Sequence, residues 1–160
     1  MDDLKILIVE DDEDLSTMYK LKFEKEGFDT RVSNNGLDAI TLVTDFEPNV
    51  ILLDIMMPGM DGFETLRVIR ELAPSLKCKI VMFSNLNSKE DIDKCMHLGA
   101  DAYLLKANTT PKEALEKIRE LFVERRVANE GIDNRDTFSA KAHSCPHCGK
   151  NIHIDVTVTP

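Results

Sequence analysis

Five short apolar runs recur along the chain, at residues 4–9, 30–33, Val50–Leu53, 79–83 and Ala102–Leu105. Three of them, Ile6-Leu7-Ile8-Val9, Val50-Ile51-Leu52-Leu53 and Ile80-Val81-Met82-Phe83, are apolar without alternation. A strand with one wet face alternates, so an unbroken run predicts strands covered on both sides, as in a parallel sheet. The intervening segments have helical spacing: Ala39, Leu42, Val43 and Phe46 make one stripe, and Ala114, Leu115, Ile118, Leu121 and Phe122 another. Thr110-Pro111-Lys112-Glu113 predicts a helix start with threonine as cap, proline at the first helical position and glutamate at the third. Ser88 and Asp91 form a weaker version, and Gly27 and Gly99 each close a helical stretch before a strand. Strands alternating with helices require crossover connections, which predicts an α/β fold with a parallel five-stranded sheet, (βα)5, over residues 4–127. No internal repeat interrupts this order. The periodicity stops near residue 129, so 128–141 reads as a polar linker and 142–160 as a short separate tail.

Composition narrows the possibilities. Hydrophobic residues make up 42% of the 160, enough for a core. No apolar run approaches the roughly 18 residues of a membrane span. Asp2 and Asp3 stand where a signal peptide would carry positive charge, so a cytoplasmic location is expected. The net charge is −9, with 25 acids against 17 bases in residues 1–127 and 4 against 3 beyond. That balance disfavours duplex DNA or an anionic membrane as a direct partner. Cys78 and Cys95 lie in apolar stretches and read as small buried, reduced thiols.

In an open parallel α/β sheet, ligands bind beyond the carboxyl ends of the strands. Those positions hold Glu10, Asp11 and Asp12 after the first run, Asp54 after the third, Ser84 after the fourth and Lys106 after the fifth. Taken singly, each is an ordinary cap, solvated turn or surface residue. Together they put carboxylates from two strands beside one hydroxyl and one amine. Such a cluster of like charge needs a counter-ion, and hard oxygen ligands suit Mg²⁺. A divalent ion, an ammonium and a hydroxyl around one carboxylate make a site for phosphoryl transfer to that carboxylate.

Residues 6–11, then Asp54-Ile-Met-Met-Pro58-Gly-Met-Asp61-Gly62, then Ser84, then Tyr103-Leu-Leu-Lys106, resemble the receiver domain of bacterial response regulators. From Asp54, Asp11 lies 43 residues back, and Ser84, Tyr103 and Lys106 lie 30, 49 and 52 residues forward, all suited to that family. The resemblance covers about residues 3–127. It implies the doubly wound, flavodoxin-like strand order 2-1-3-4-5 known for such folds. It implies that Asp54 accepts phosphate from a histidine kinase, that Asp11 binds Mg²⁺ directly and Glu10 largely through water, and that Met56 contributes its backbone carbonyl. Ser84 and Lys106 would contact the phosphoryl group, and Tyr103 would swing inward when Ser84 moves. Without the family, Tyr103 reads as a half-buried sheet-edge residue with a wet hydroxyl. Asp12 is the next residue along and not a ligand. The face of the fourth helix, fifth strand and fifth helix would report phosphorylation to a downstream protein.

Two departures matter: the positions flanking the phosphate, Met56 and Leu86, are apolar and are expected to shield it from water, and the loop after the lysine is altered. The family usually has a cis proline after the lysine, and here Lys106 precedes Ala107. A cis bond before a non-proline residue costs about 2.5–4 kcal/mol, so this loop is expected to be trans or rearranged.

In the tail, Cys145-Pro146-His147-Cys148-Gly149 resembles one knuckle of a zinc ribbon. Two thiolates at this spacing suit tetrahedral Zn²⁺, which needs two more ligands. His143, His147 and His153 are available, or two chains of a homodimer would each donate a pair. A redox Cys-x-x-Cys and an unstructured tail are the other readings.

The favoured function is a two-component response regulator with no enzyme activity beyond Mg²⁺-dependent self-phosphorylation and slow self-dephosphorylation. A phosphorylation-independent interaction module, or the receiver half of a regulator whose zinc tail is the output, are the alternatives.

Overall fold

The computed structural model describes residues 4–72 and 77–129. Strands β1 (Lys5–Val9), β2 (Asp29–Ser33), β3 (Val50–Leu53), β4 (Lys79–Ser84) and β5 (Ala102–Leu105) alternate with helices α1 (Glu13–Lys25), α2 (Gly36–Phe46), α3 (Gly62–Leu72), α4 (Lys89–His97) and α5 (Pro111–Asn129). All pairings are parallel and the order is β2-β1-β3-β4-β5, the expected doubly wound sheet. Differences from the sequence reading are confined to ends. β2 begins one residue early at Asp29 and β4 runs on to Ser84, because polar residues pair in a ladder as well as apolar ones. Helix α5 continues to Asn129, two residues into the segment read as linker.

The unbroken apolar runs conceal a period of two. Leu7, Val9, Ile51, Leu53, Ile80 and Met82 face one side and pack with Ala39, Val43, Phe46, Leu66 and Ile69 of α2 and α3. Their neighbours Ile6, Ile8, Val50, Leu52, Val81 and Phe83 face the other side, against Tyr19 and Phe23 of α1 and Ala114, Leu115 and Ile118 of α5. Each strand thus serves two cores. Helix starts are fixed chemically. Asp12 caps α1 by accepting from the Leu15 N–H at 3.0 Å, and Asn35 caps α2 from the Asp38 N–H at 2.8 Å. The Thr110–Glu113 capping box is formed in both directions. Gly27 and Gly99 leave their helices at φ +90° and +96°, a conformation that disfavours a side chain.

A polar clamp ties the end of the sheet opposite the acidic residues. The Asp101 carboxylate accepts from Arg70 at 2.8 Å, Lys79 at 2.6 Å and the Ile80 N–H at 2.8 Å. Burial pushes this carboxyl's pKa up, but the bonds from Lys79 and Ile80 and the charge of Arg70 outweigh it and hold the group below its ordinary value. A depressed folded value means stability that is fully present above the unfolded pKa near 3.9 and is lost as pH falls through the folded value. Asp101→Asn is therefore expected to lower unfolding stability by about 1–3 kcal/mol at pH 7, the scale of hydrogen bonds to charged partners. In urea denaturation the gap to the unsubstituted protein should close progressively below pH 4; a gap independent of pH would discount the charge.

Candidate functional site

Strand register assembles the site. Val9 of β1 is paired with Leu53 of β3, so the next residues, Glu10 and Asp54, emerge side by side at one edge. Ser84 is paired with Leu105, which places Lys106 one step beyond on the neighbouring strand. Four residues far apart in sequence reach one rim because each ends its own strand.

Asp54 is only 3% exposed. One carboxylate oxygen, Oδ1, accepts from the N–H groups of Ile55 at 2.7 Å and Met56 at 3.2 Å. The other, Oδ2, lies 2.8 Å from Lys106 Nζ, which also sits 2.6 Å from Glu10 Oε2. Burial acts on both partners. It pushes the Glu10 carboxyl up, helped by the Asp54 charge and opposed by Lys106. For Lys106 burial alone would depress the pKa, but its contacts with Asp54 and Glu10 outweigh that and raise it. The lysine is therefore a firmly charged ammonium facing two carboxylates.

The donor set fits a hard divalent cation. Glu10, Asp11 and Asp54 each offer a carboxylate oxygen within 4.8 Å of the others. Glu10 Oε2 is buried and, although the Lys106 ammonium lies close, receives no aligned hydrogen bond. A buried anionic oxygen with unfilled acceptor capacity beside an exposed carboxylate, Asp11, suits an ion that takes a few carboxylates and keeps water on its open side. Asp12 stands outside this trio and spends its carboxylate on the α1 cap.

Ser84 is fully buried, and its Oγ accepts from the Leu86 N–H at 3.4 Å. The half-buried Tyr103 donates its hydroxyl to the Leu86 carbonyl at 2.6 Å, so that hydroxyl is engaged by protein. Ser84 and Tyr103 are thus joined through one residue, Leu86. The Met56 side chain points outward, 62% exposed, while its N–H turns toward Asp54. After Lys106 the chain makes a 3-10 turn over Lys106–Asn108, with no cis peptide bond among the described residues, as Ala107 implies. Cys145 and Cys148 lie outside the described residues.

Two supporting residues were legible only in part. Gly62 belongs to the quoted motif, but its reason is spatial: a Cβ there would fall on the Asp54 carbonyl and 2.6 Å from Ile55 Cα. Tyr19, a buried α1 residue, bonds to the turn after Lys106 across 90 residues of sequence, and nothing local announces that.

The response regulator receiver domain family matches residues 6–119. Over 115 residues the chain is 36% identical to the DNA-binding response regulator MtrA of Mycolicibacterium paratuberculosis, covering 72% of this chain and 49% of that protein. It thus spans about half the length of the curated relatives it matches. A CheY-like response regulator receiver domain protein from Methanospirillum hungatei superposes with a TM-score of 0.71 at 30% identity, covering 78% of this chain and 98% of the other. The BeF3-activated receiver domain of Klebsiella pneumoniae RstA gives 0.65 at 32% identity, covering 72% and 96%. With the sheet order and the strand-end acids already in place, these matches settle the family: the chain belongs to the receiver domains of two-component response regulators.

Proposed function

We propose that the chain is a phosphorylation switch in which Asp54 takes a phosphoryl group from a histidine kinase in a Mg²⁺-dependent reaction. The observation that carries this reading is the buried Asp54 carboxylate, oriented by two backbone N–H groups and held 2.8 Å from the Lys106 ammonium. In the transfer, an Asp54 oxygen forms a bond to phosphorus while the P–N bond to the kinase imidazole breaks. The imidazole nitrogen keeps the electron pair and takes up a proton. Lys106 neutralises charge on the phosphoryl oxygens, and Ser84 donates its hydroxyl to one of them. Glu10, Asp11, Asp54 and the Met56 carbonyl would hold Mg²⁺, which when bound supplies further charge neutralisation. Water slowly returns Asp54 to its free form; no other catalytic chemistry is proposed.

Ser84 would donate its hydroxyl to phosphate while its Oγ accepts from the Leu86 N–H, so a shift of Ser84 toward the phosphoryl group would be felt at Leu86, the residue that holds Tyr103. That link supports a two-state switch read by a protein partner on the α4–β5–α5 face. The acidic balance of residues 1–127 supports a protein partner over direct contact with nucleic acid. For the tail, the Cys145–Cys148 spacing supports half of a zinc site completed by histidine or by a second chain.

The test is labelling of the full chain with acetyl phosphate in Mg²⁺ buffer, followed by intact mass. One phosphoryl group per chain is expected, with none in Asp54→Asn and none after chelation by EDTA. Uptake that survives Asp54→Asn would place the acceptor elsewhere. No uptake by the unsubstituted protein would favour the phosphorylation-independent interaction module.

A further inference from the structure

The turn that carries Lys106 has little to hold it. Its own closing bond, from the Thr109 N–H to the Lys106 carbonyl, is long at 3.4 Å. Ala107 and Asn108 are exposed. Among the described residues, one hydrogen bond ties 107–109 to another element: the Tyr19 hydroxyl of α1 donates to the Thr109 carbonyl at 2.6 Å. Tyr19 is itself fixed. It is 2% exposed, edge-on to Phe23 with centroids 5.9 Å apart, and its ring lies 4.9 Å from that of Phe83. The Phe83 ring in turn lies beneath the Lys106 ammonium, 5.6 Å from Nζ. One tyrosine therefore holds the backbone three residues beyond Lys106 and packs on the ring under its amine.

We propose that Tyr19 is a positioning residue for Lys106, its hydroxyl fixing the β5–α5 turn so that the ammonium stays aimed at Asp54 and Glu10. A trans turn with an exposed alanine after the lysine and one long closing bond has little rigidity of its own, and the bond from α1 adds to it. Burial, with the charges of Glu113 and Glu10, pushes the Tyr19 phenol up to about 12, so it remains a donor at any working pH. The inference rests on the phosphorylation reading above for its catalytic consequence, and on geometry alone for the contact.

Tyr19→Phe removes the hydroxyl and keeps the ring. Labelling of Asp54 by acetyl phosphate should slow about fivefold, the scale of one hydrogen bond. In a Lys106→Ala background the same change should have less than about a twofold effect, because additivity fails where one residue acts through the other. An equal slowing in both backgrounds, or none in the first, would overturn the proposal. A second measurement needs no phosphate: ¹⁵N relaxation of residues 106–109 should show order parameters falling from about 0.85 toward 0.6 in Tyr19→Phe. If the unsubstituted protein takes no label while the turn loosens, the phosphorylation reading falls and the positioning contact stands. If it labels and the turn stays ordered in Tyr19→Phe, the positioning claim falls alone.

Discussion

Lys106→Met is expected to slow phosphoryl uptake at Asp54 by about 10²–10³-fold, the usual effect of removing one preorganised electrostatic partner from a transfer site. Methionine keeps an unbranched apolar stem of similar length, so packing over Phe83 survives and the ammonium is what is lost. That ammonium now lies 2.8 Å from Asp54 and 2.6 Å from Glu10, 13% exposed, in a place where water compensates poorly. Two carboxylates would be left facing each other. With the opposing lysine gone, the Glu10 carboxyl, which burial already pushes up, would be pushed up further. The loss in rate should exceed any loss in stability. Initial labelling rates at saturating Mg²⁺, set beside urea denaturation, separate the two. A rate within threefold of the unsubstituted protein would mean that the ammonium does not act on the phosphoryl group.

What made this site readable is that each of its members follows an apolar run. Hydrophobic pattern locates strands, strand ends locate the rim, and the residues just beyond are then few. The same logic placed the Thr110–Glu113 box, because a capping pair is local. It failed wherever a contact joins distant segments without an apolar signal. Arg70 and Asp101 are 31 residues apart and meet only because α3 and the α4–β5 turn pack at one end of the sheet. Tyr19 scans as one more core position of α1, and its hydroxyl's partner is 90 residues away. Tyr103 was ambiguous for the opposite reason: its half-burial was foreseeable, but its bond to Leu86 depends on where the β4–α4 turn runs. Apolar periodicity reports which atoms leave water. It is silent on where buried donors and acceptors find one another.

Gly62 illustrates the same limit and gives the largest expected effect on folding. Gly62→Ala should lower stability by about 2–3 kcal/mol, as for overpacking a well-filled interior. The backbone conformation is not the difficulty, since Gly62 is absent from the positive-φ residues. Space is. The new methyl would meet the Asp54 carbonyl and would lie 2.6 Å from Ile55 Cα and 2.9 Å from the Asp54 carbonyl carbon, all backbone atoms that cannot rotate away. The start of α3 is bonded to this segment through the Gly62 N–H and the Ile55 carbonyl at 2.9 Å. Relief must therefore move the chain whose Ile55 and Met56 N–H groups orient the Asp54 carboxylate. Stability and labelling should fall together. Gly27→Ala provides the contrast: at φ +90° with no atom within 4 Å, it meets conformational strain without a clash, costing about 1–2 kcal/mol. It sits at the end of α1, away from the acidic rim, so the folded variant should label normally. Urea denaturation and acetyl phosphate labelling of the two variants side by side decide the matter. Equal labelling in both would show that close approach at Gly62 serves the fold and not the aim of Asp54.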